Sequence, residues 1–314
     1  MERERQRRRA RRLHELHAGP DVLVVLNAWD AGSARVFEQS GCDAVGTTSA
    51  GVAYALGRPD GEALTRPELI EATARIADVL EVPLTADLES GYGADAAEVG
   101  ETVAAVLDAG AVGVNIEDAP ASEGDALRPE GASGGAAGGG GGAAGTGAVG
   151  AGGGVAGAVR EPLRPLGEQV DRLRAARGAA EAAGVELFLN ARTDVWWLGV
   201  GERDDRFELA VERARAYVEA GADGIFAPGL TDPRELAAFV DAVRVPVNVL
   251  ASRDSPPLDQ LRGLGVRRLS VGSGPVRAAL DLAGRIALEV LETGTSELMA
   301  AGTLTYREAN ELFR

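Results

Sequence analysis

Short apolar runs alternate with longer stretches whose apolar residues recur every three or four positions, over nearly the whole chain. The runs are VLVVLNAW (22–29), DAVGTTS (43–49), PLTADLE (83–89), VGVNIED (112–118), LFLNART (187–193), GIFAPG (224–229), PVNVLA (246–251) and RLSVGS (268–273). Each is bounded by Gly, Pro or polar residues and predicts a buried β-strand. Between them, stretches such as RPELIEATARIADVL and RFELAVERARAYVEAG carry helical spacing. Several end in Gly, as in the AGA triplets at 109–111 and 220–222, a common helix stop. Eight strands alternating with helices predict an α/β protein, a (β/α)8 TIM barrel. The rival, an open doubly wound sheet, lacks its GxGxxG turn after any strand.

Two segments stand apart from this pattern. Residues 131–158, GASGGAAGGGGGAAGTGAVGAGGGVAGA, are almost entirely Gly and Ala. They predict a flexible insertion in the loop after the fourth strand, on the rim where barrel enzymes place their active sites. Residues 1–20 begin MERERQRRRARRL and predict a solvated, arginine-rich extension. The barrel and its C-terminal helices then fill 21–314.

Composition removes several kinds of chemistry. All 32 residues counted as Lys or Arg are arginine, which excludes lysine Schiff bases. The two histidines, His14 and His17, both lie in the N-terminal segment, so the body of the chain holds neither a Ser-His-Asp triad nor a multi-histidine zinc site. Cys42 is the sole cysteine, which rules out an intrachain disulfide. It reads as a small buried hydrophobe before the second strand. Acid–base work falls to carboxylates, tyrosine, or water on arginine or a metal. The net charge of -16 argues against nucleic acid as the main partner. No apolar run approaches the roughly 18 residues of a membrane span, and the start lacks the apolar core of a signal peptide. A cytoplasmic protein without a membrane partner is expected.

Carboxylates recur at the predicted strand ends. Asp60 follows the second strand, Asp87 and Glu89 end the third, Glu117 and Asp118 end the fourth, and Asp194 follows Arg192 after the fifth. Asp87 and Glu89 are two apart, which on a strand puts them on one face. Two buried carboxylates side by side call for something positive between them. One such residue alone reads as an N-cap or a surface ion pair. Four at consecutive rim positions point to a hard cation, and Mg²⁺ uses one or two direct carboxylates and keeps several waters. Tyr92 either stacks on a substrate or packs its Gly-Tyr-Gly turn. Trp196 and Trp197 follow the fifth strand and read as packing at the pocket wall.

LTADLESGYG, GVNIEDA, NARTD and TTSAGVAYALGRPDGE together resemble the isocitrate lyase/phosphoenolpyruvate mutase superfamily, in particular its phosphoenolpyruvate-mutase-like members. The resemblance runs from about residue 20 to 290 and skips the Gly/Ala insertion. It implies a barrel whose last helix is exchanged between subunits of a homotetramer, a Mg²⁺ or Mn²⁺ cofactor, and small 2-oxo or 2-hydroxy acid substrates. It implies a lyase-type reaction that makes or breaks a C–C or C–P bond beside a pyruvate-like enolate. The alternatives are a phosphoenolpyruvate or phosphonopyruvate mutase or hydrolase, and a barrel that binds 2-oxo acids without turnover. Residue by residue, Asp87 matches the direct metal ligand, and Glu89, Glu117 and Asp60 match the residues that hold its waters. Ser49, Ala50 and Gly51 match the segment that grips the substrate carboxylate, and Tyr92 stands beside it. Arg192 matches the arginine that stabilises the enolate. The loop after the fourth strand departs from the family. Where the lyases carry an acid–base cysteine and the mutases a lysine, EDAPASEGDALRPEG has neither. Glu123, Arg128 and Arg160 are the replacements at hand.

Overall fold

Eight short strands of β-branched and small residues pair in parallel and close on themselves in sequence order. The structure, a computed structural model, describes residues 2–121, 162–302 and 304–314. The strands are β1 (Leu23–Ala28), β2 (Val45–Thr47), β3 (Leu84–Asp87), β4 (Gly113–Glu117), β5 (Phe188–Arg192), β6 (Gly224–Phe226), β7 (Val247–Leu250) and β8 (Arg268–Ser270). Helices α1 (Glu2–Ala18), α2 (Ala31–Gln39), α3 (Ser49–Ala55), α4 (Arg66–Val79), α5 (Ala96–Asp108) and α6 (Leu166–Ala183) accompany the first half. The second half carries α7 (Arg206–Glu219), α8 (Pro233–Val243), α9 (Leu258–Gly263), α10 (Gly274–Thr293), α11 (Glu297–Ala300) and α12 (Tyr306–Glu311). This is the (β/α)8 barrel that the alternating pattern predicts, with every strand inside its expected run. Among the described residues no helix is long and apolar enough to cross a membrane. The segment 131–158, with Glu123, Arg128 and Arg160, lies outside the described residues.

The barrel interior is tightly filled. A Cβ on Gly113 would stand 2.8 Å from Leu13 Cδ2 and 2.9 Å from Thr85 Oγ1, and one on Gly224 would stand 3.1 Å from the Phe188 ring. The space these glycines leave is taken by longer neighbours. Arg268, only 1% exposed, lies within the barrel, and burial pulls its pKa down to about 10 while Asp87 opposes the shift.

The arginine-rich start differs from expectation. It forms α1, and its arginines mask an inner stripe of Gln6, Arg9, Ala10, Leu13 and His17, all buried. Gln6 Nε2 donates to the Leu107 carbonyl at 2.5 Å and the Ala111 carbonyl at 3.1 Å. Arg9 donates to the carbonyls of Leu80 and Glu81. The His17 ring stacks on Phe188 with centroids 3.7 Å apart. Burial, and next the charge of Arg268, pushes its pKa down to about 3. Helix spacing explains the outcome: residues 6, 9, 10, 13 and 17 share one face, however many arginines cover the other. The helix closes the N-terminal end of the barrel, leaving the C-terminal rim as the accessible one.

The last long helix shows the reverse. Of the 20 residues of α10 only Val276 is buried, while Leu280, Leu282, Leu288, Val290 and Leu291 are exposed. These apolar side chains are spread round the helix, which stands clear of the barrel on nearly every side.

If α1 is a working part of the core, Leu13→Ala should destabilise the protein by about 2–4 kcal/mol. The exposed Arg11→Ala should stay within about 0.5 kcal/mol. Denaturant titration of the two variants gives both numbers; equal, small losses would return α1 to a solvated extension.

Candidate active site

Three strand ends bring the chemistry together at the C-terminal rim. Asp87 is the last residue of β3, Glu117 of β4 and Arg192 of β5, and Glu117 pairs with Arg192 in the strand register. The Arg192 guanidinium is held on two sides, by Glu117 Oε2 at 2.7 Å from Nη1 and by Asp194 Oδ1 at 2.7 Å from Nε. Its Cζ lies 5.6 Å from the centre of the Phe226 ring. Burial alone would pull the pKa of Arg192 down. Asp194, Glu117 and Asp87 outweigh that and hold it above its ordinary value. The guanidinium is thus a fixed, permanent charge.

The acids around it are starved of cations. Burial raises the pKa of Asp87, against the pull of Arg192. Burial also raises Glu117, where Arg192 opposes and Asp194, Asp87 and Glu89 add to the rise. Glu89 is pushed up to about 8 by burial and next by Asp60. Asp60, half-buried after β2, therefore faces both Glu89 and Asp87.

Two sequence expectations change here. Strand β3 stops at Asp87, so Glu89 does not reach Asp87's face by alternation. Its backbone turns left-handed, at φ 48°, and brings its carboxylate back over the rim. Asp118 is not a rim acid. It is fully buried and accepts from Thr193 Oγ1 at 2.9 Å, Arg213 Nε at 3.0 Å, Tyr217 Oη at 2.8 Å and the Asp194 N–H at 2.9 Å. Arg213 also donates to the Arg164 carbonyl, and the Arg164 N–H donates to the Asp118 carbonyl at 2.8 Å. The β4 end of the long loop and its returning end are thereby pinned to one point.

The remaining candidates divide. Ser49 opens α3, and its N–H donates to Asp87 Oδ2 at 3.2 Å. A Cβ on Gly51 would meet Thr48 Cγ2 at 2.6 Å and Trp29 Cβ at 2.9 Å, so residues 49–51 run too close to their neighbours for bulk at the third position. A narrow cavity is lined by Gly61, Glu89, Glu117, Arg192, Asp194, Trp197, Leu198 and residues 119–121. Tyr92 is absent from its lining; the hydroxyl donates to Glu89 Oε1 at 2.7 Å, and the ring lines a neighbouring cleft. Trp196 packs, donating to Glu235 at 2.9 Å and meeting Phe239 edge-on. Cys42 sits before β2, at the far end from the rim, packed among apolar residues.

Among the described residues no three His, Cys, Asp or Glu side chains form a group that could hold a metal directly. Any cation held at these carboxylates would depend largely on water ligands. The donor set is all oxygen, and burial leaves its carboxylates short of positive charge.

The phosphoenolpyruvate phosphomutase family matches residues 13–133 and 143–291. The chain belongs to this family. It is 33% identical to an oxaloacetate decarboxylase of Paraburkholderia xenovorans over 76% of this chain and 67% of that one. It is 28% identical to the 2-methylisocitrate lyase of Escherichia coli over 93% and 86%. A Burkholderia cenocepacia structure named as a lyase/mutase superposes with a TM-score of 0.80 at 33% identity, covering 99% of this chain and 97% of that one. Members of this family are enzymes, and a lyase-type activity fits the chain.

A carboxyl whose pKa is higher folded than unfolded binds more protons when folded. Its stabilising contribution is complete below the unfolded value and is lost as pH rises through the folded one. For Glu89 that window runs from about 4.5 up to about 8. The metal-free protein should therefore melt at progressively lower temperature between these limits, and Glu89→Gln should flatten the slope. A wild-type protein whose melting temperature does not fall across this range would contradict the charge balance described here.

Proposed function

We propose that this protein is a divalent-metal-dependent lyase that cleaves a bond beside the enolate of a small 2-oxo or 2-hydroxy acid. The observation that carries the reading is the arrangement of Arg192, locked between Glu117 and Asp194 and flanked by buried, cation-starved carboxylates. Asp87 would hold Mg²⁺ or Mn²⁺ directly, with Glu89, Glu117 and Asp60 receiving its water ligands. When bound, such an ion acts as a Lewis acid toward the substrate's oxygens.

The chain's own residues then have distinct tasks. Residues 49–51 seat the substrate carboxylate against the backbone at the start of α3. Arg192 has Nε and Nη1 committed to carboxylates, which fixes the plane of the guanidinium, and among the described residues Nη2 has no ion-pair partner. A fixed cation aimed where negative charge develops stabilises the transition state without reorganising. Tyr92 serves the site through Glu89. Trp197 and residues 119–121 wall the cavity.

Cleavage or decarboxylation is favoured over phosphoryl transfer, because a mutase must steady a transferring phosphoryl group and the chain has no lysine to do so. The oxaloacetate decarboxylase and 2-methylisocitrate lyase relatives point the same way. The exposed apolar side chains round α10 support helix exchange with a second copy, within the tetramer that the family resemblance implies.

A panel of 2-oxo and 2-hydroxy acids, assayed with Mg²⁺ and Mn²⁺, identifies the substrate; no turnover, with oxalate still bound, would favour a non-catalytic acid-binding barrel. On the substrate found, Arg192→Ala should lower kcat by about 100-fold or more, with the change in KM much smaller. Cys42→Ser should stay within about twofold, since Cys42 lies at the opposite end of the barrel. An inactive Cys42→Ser beside an active Arg192→Ala would reverse these roles.

A further inference from the structure

We infer that Glu62 is a positioning residue, whose carboxylate fastens the turn after β3 so that Glu89 and Tyr92 stand ready before a cation arrives. The inference rests on the metal-dependent reading above. It starts from two rim turns, 60–62 after β2 and 89–92 after β3, that grip each other. The Glu62 N–H donates to Glu89 Oε2 at 2.7 Å. In return, Glu62 Oε1 accepts from the Ser90 N–H at 3.1 Å, the Ser90 hydroxyl at 2.7 Å and the Tyr92 N–H at 3.2 Å. The Tyr92 hydroxyl closes the circuit on Glu89 Oε1 at 2.7 Å. Arg164 Nη2 donates to Ser90 Oγ at 3.1 Å, which leaves the hydroxyl proton of Ser90 for Glu62.

The backbone shows that the clasp imposes this shape. Glu62, Glu89 and Tyr92 have φ of 58°, 48° and 52°. They are three of the four described non-glycine residues with positive φ, and the fourth, Arg244, ends α8. Glutamate and tyrosine do not adopt the left-handed region by local preference. Side-chain and backbone hydrogen bonds between the turns must hold all three there, as at other sites where function sets the conformation.

Charge makes the arrangement harder to explain as passive packing. Glu62 stands close enough to Glu89 to raise its pKa, so two acids are held side by side where an apolar contact would serve a turn as well. What the arrangement secures is the direction of Glu89: one oxygen is fixed by the Glu62 N–H, the other by Tyr92. Glu62's carboxylate sets the second of these, through the Tyr92 backbone. It is absent from the lining of the narrow cavity beside Arg192, and acts through its neighbours.

The test is Mn²⁺ affinity measured by calorimetry on the full chain, for wild type, E62A, E62Q, Y92F and E62A/Y92F. Alanine keeps a Cβ, so it keeps the backbone cost and removes only the acceptor. E62A should weaken Mn²⁺ binding by about 10-fold, the size seen when partners of metal-holding groups are lost. E62Q, whose amide oxygen can accept the same three donors, should recover to within about threefold of wild type. Y92F should resemble E62A, and the double variant should be no weaker than the weaker single one, because both act along one path. Wild-type affinity in E62A, failure of E62Q to recover, or fully additive losses would each overturn the role. If E62A gives no folded protein, E62D keeps the charge but withdraws the oxygen, and it carries the same expectation. A wild type that binds no Mn²⁺ removes the cradle itself, and the role of Glu62 falls with it. That outcome is distinct from an E62A that binds as the wild type does.

Discussion

The site depends on one imbalance, several buried carboxylates facing a single guanidinium. Arg192 satisfies Glu117 and Asp194 by direct contact and lowers the cost of Asp87 by its charge. It cannot serve Glu89 as well, and burial there leaves a carboxyl that resists ionising. An unpaired buried charge is costly enough that proteins neutralise it by protonation or by a counter-ion. Protonation would relieve this cost by removing the charge, and a divalent cation would relieve it with the carboxylates ionised. The same constraint suits Arg192 to the oxyanion-stabilising role proposed for it. Its two carboxylate neighbours hold it in place and keep it charged.

The rest of the barrel serves that rim. Helix α1 covers the N-terminal end with Leu13 and His17, both buried. Gly113 and Gly224 keep the lower barrel narrow enough to be filled. Asp118 gathers Thr193, Asp194, Arg213 and Tyr217, which fixes the Asp194 that orients Arg192. Through Arg213 and Arg164 the same carboxylate ties the two ends of the long loop together.

Much of this was legible in the chain, for definite physical reasons. Strand runs are short and apolar because both faces of a parallel barrel are buried, so all eight could be placed from pattern alone. Asp87, Glu117 and Arg192 could be placed at the rim because they end such runs. Glu62 could not: nothing in GRPDGE distinguishes a solvated glutamate from one that accepts three hydrogen bonds across two turns. Asp118 beside Glu117 invited a rim role, yet adjacent strand residues point to opposite sides, and that rule alone would have sent it outward. The arginines of α1 hid a buried stripe that only a count at helical spacing reveals. Glu89 reached the rim by a left-handed turn, which a strand rule does not anticipate.

The central claim, that the rim carboxylates await a cation, is tested most directly by the protons they give up. Mn²⁺ binding can be followed by calorimetry at pH 7, with oxalate present, in buffers of different ionisation enthalpy. Metal sites release protons when their ligands must ionise to bind. The account predicts saturable binding with release of roughly one proton per ion, reduced in Glu89→Gln. Absence of binding, or binding with no proton released, would contradict it.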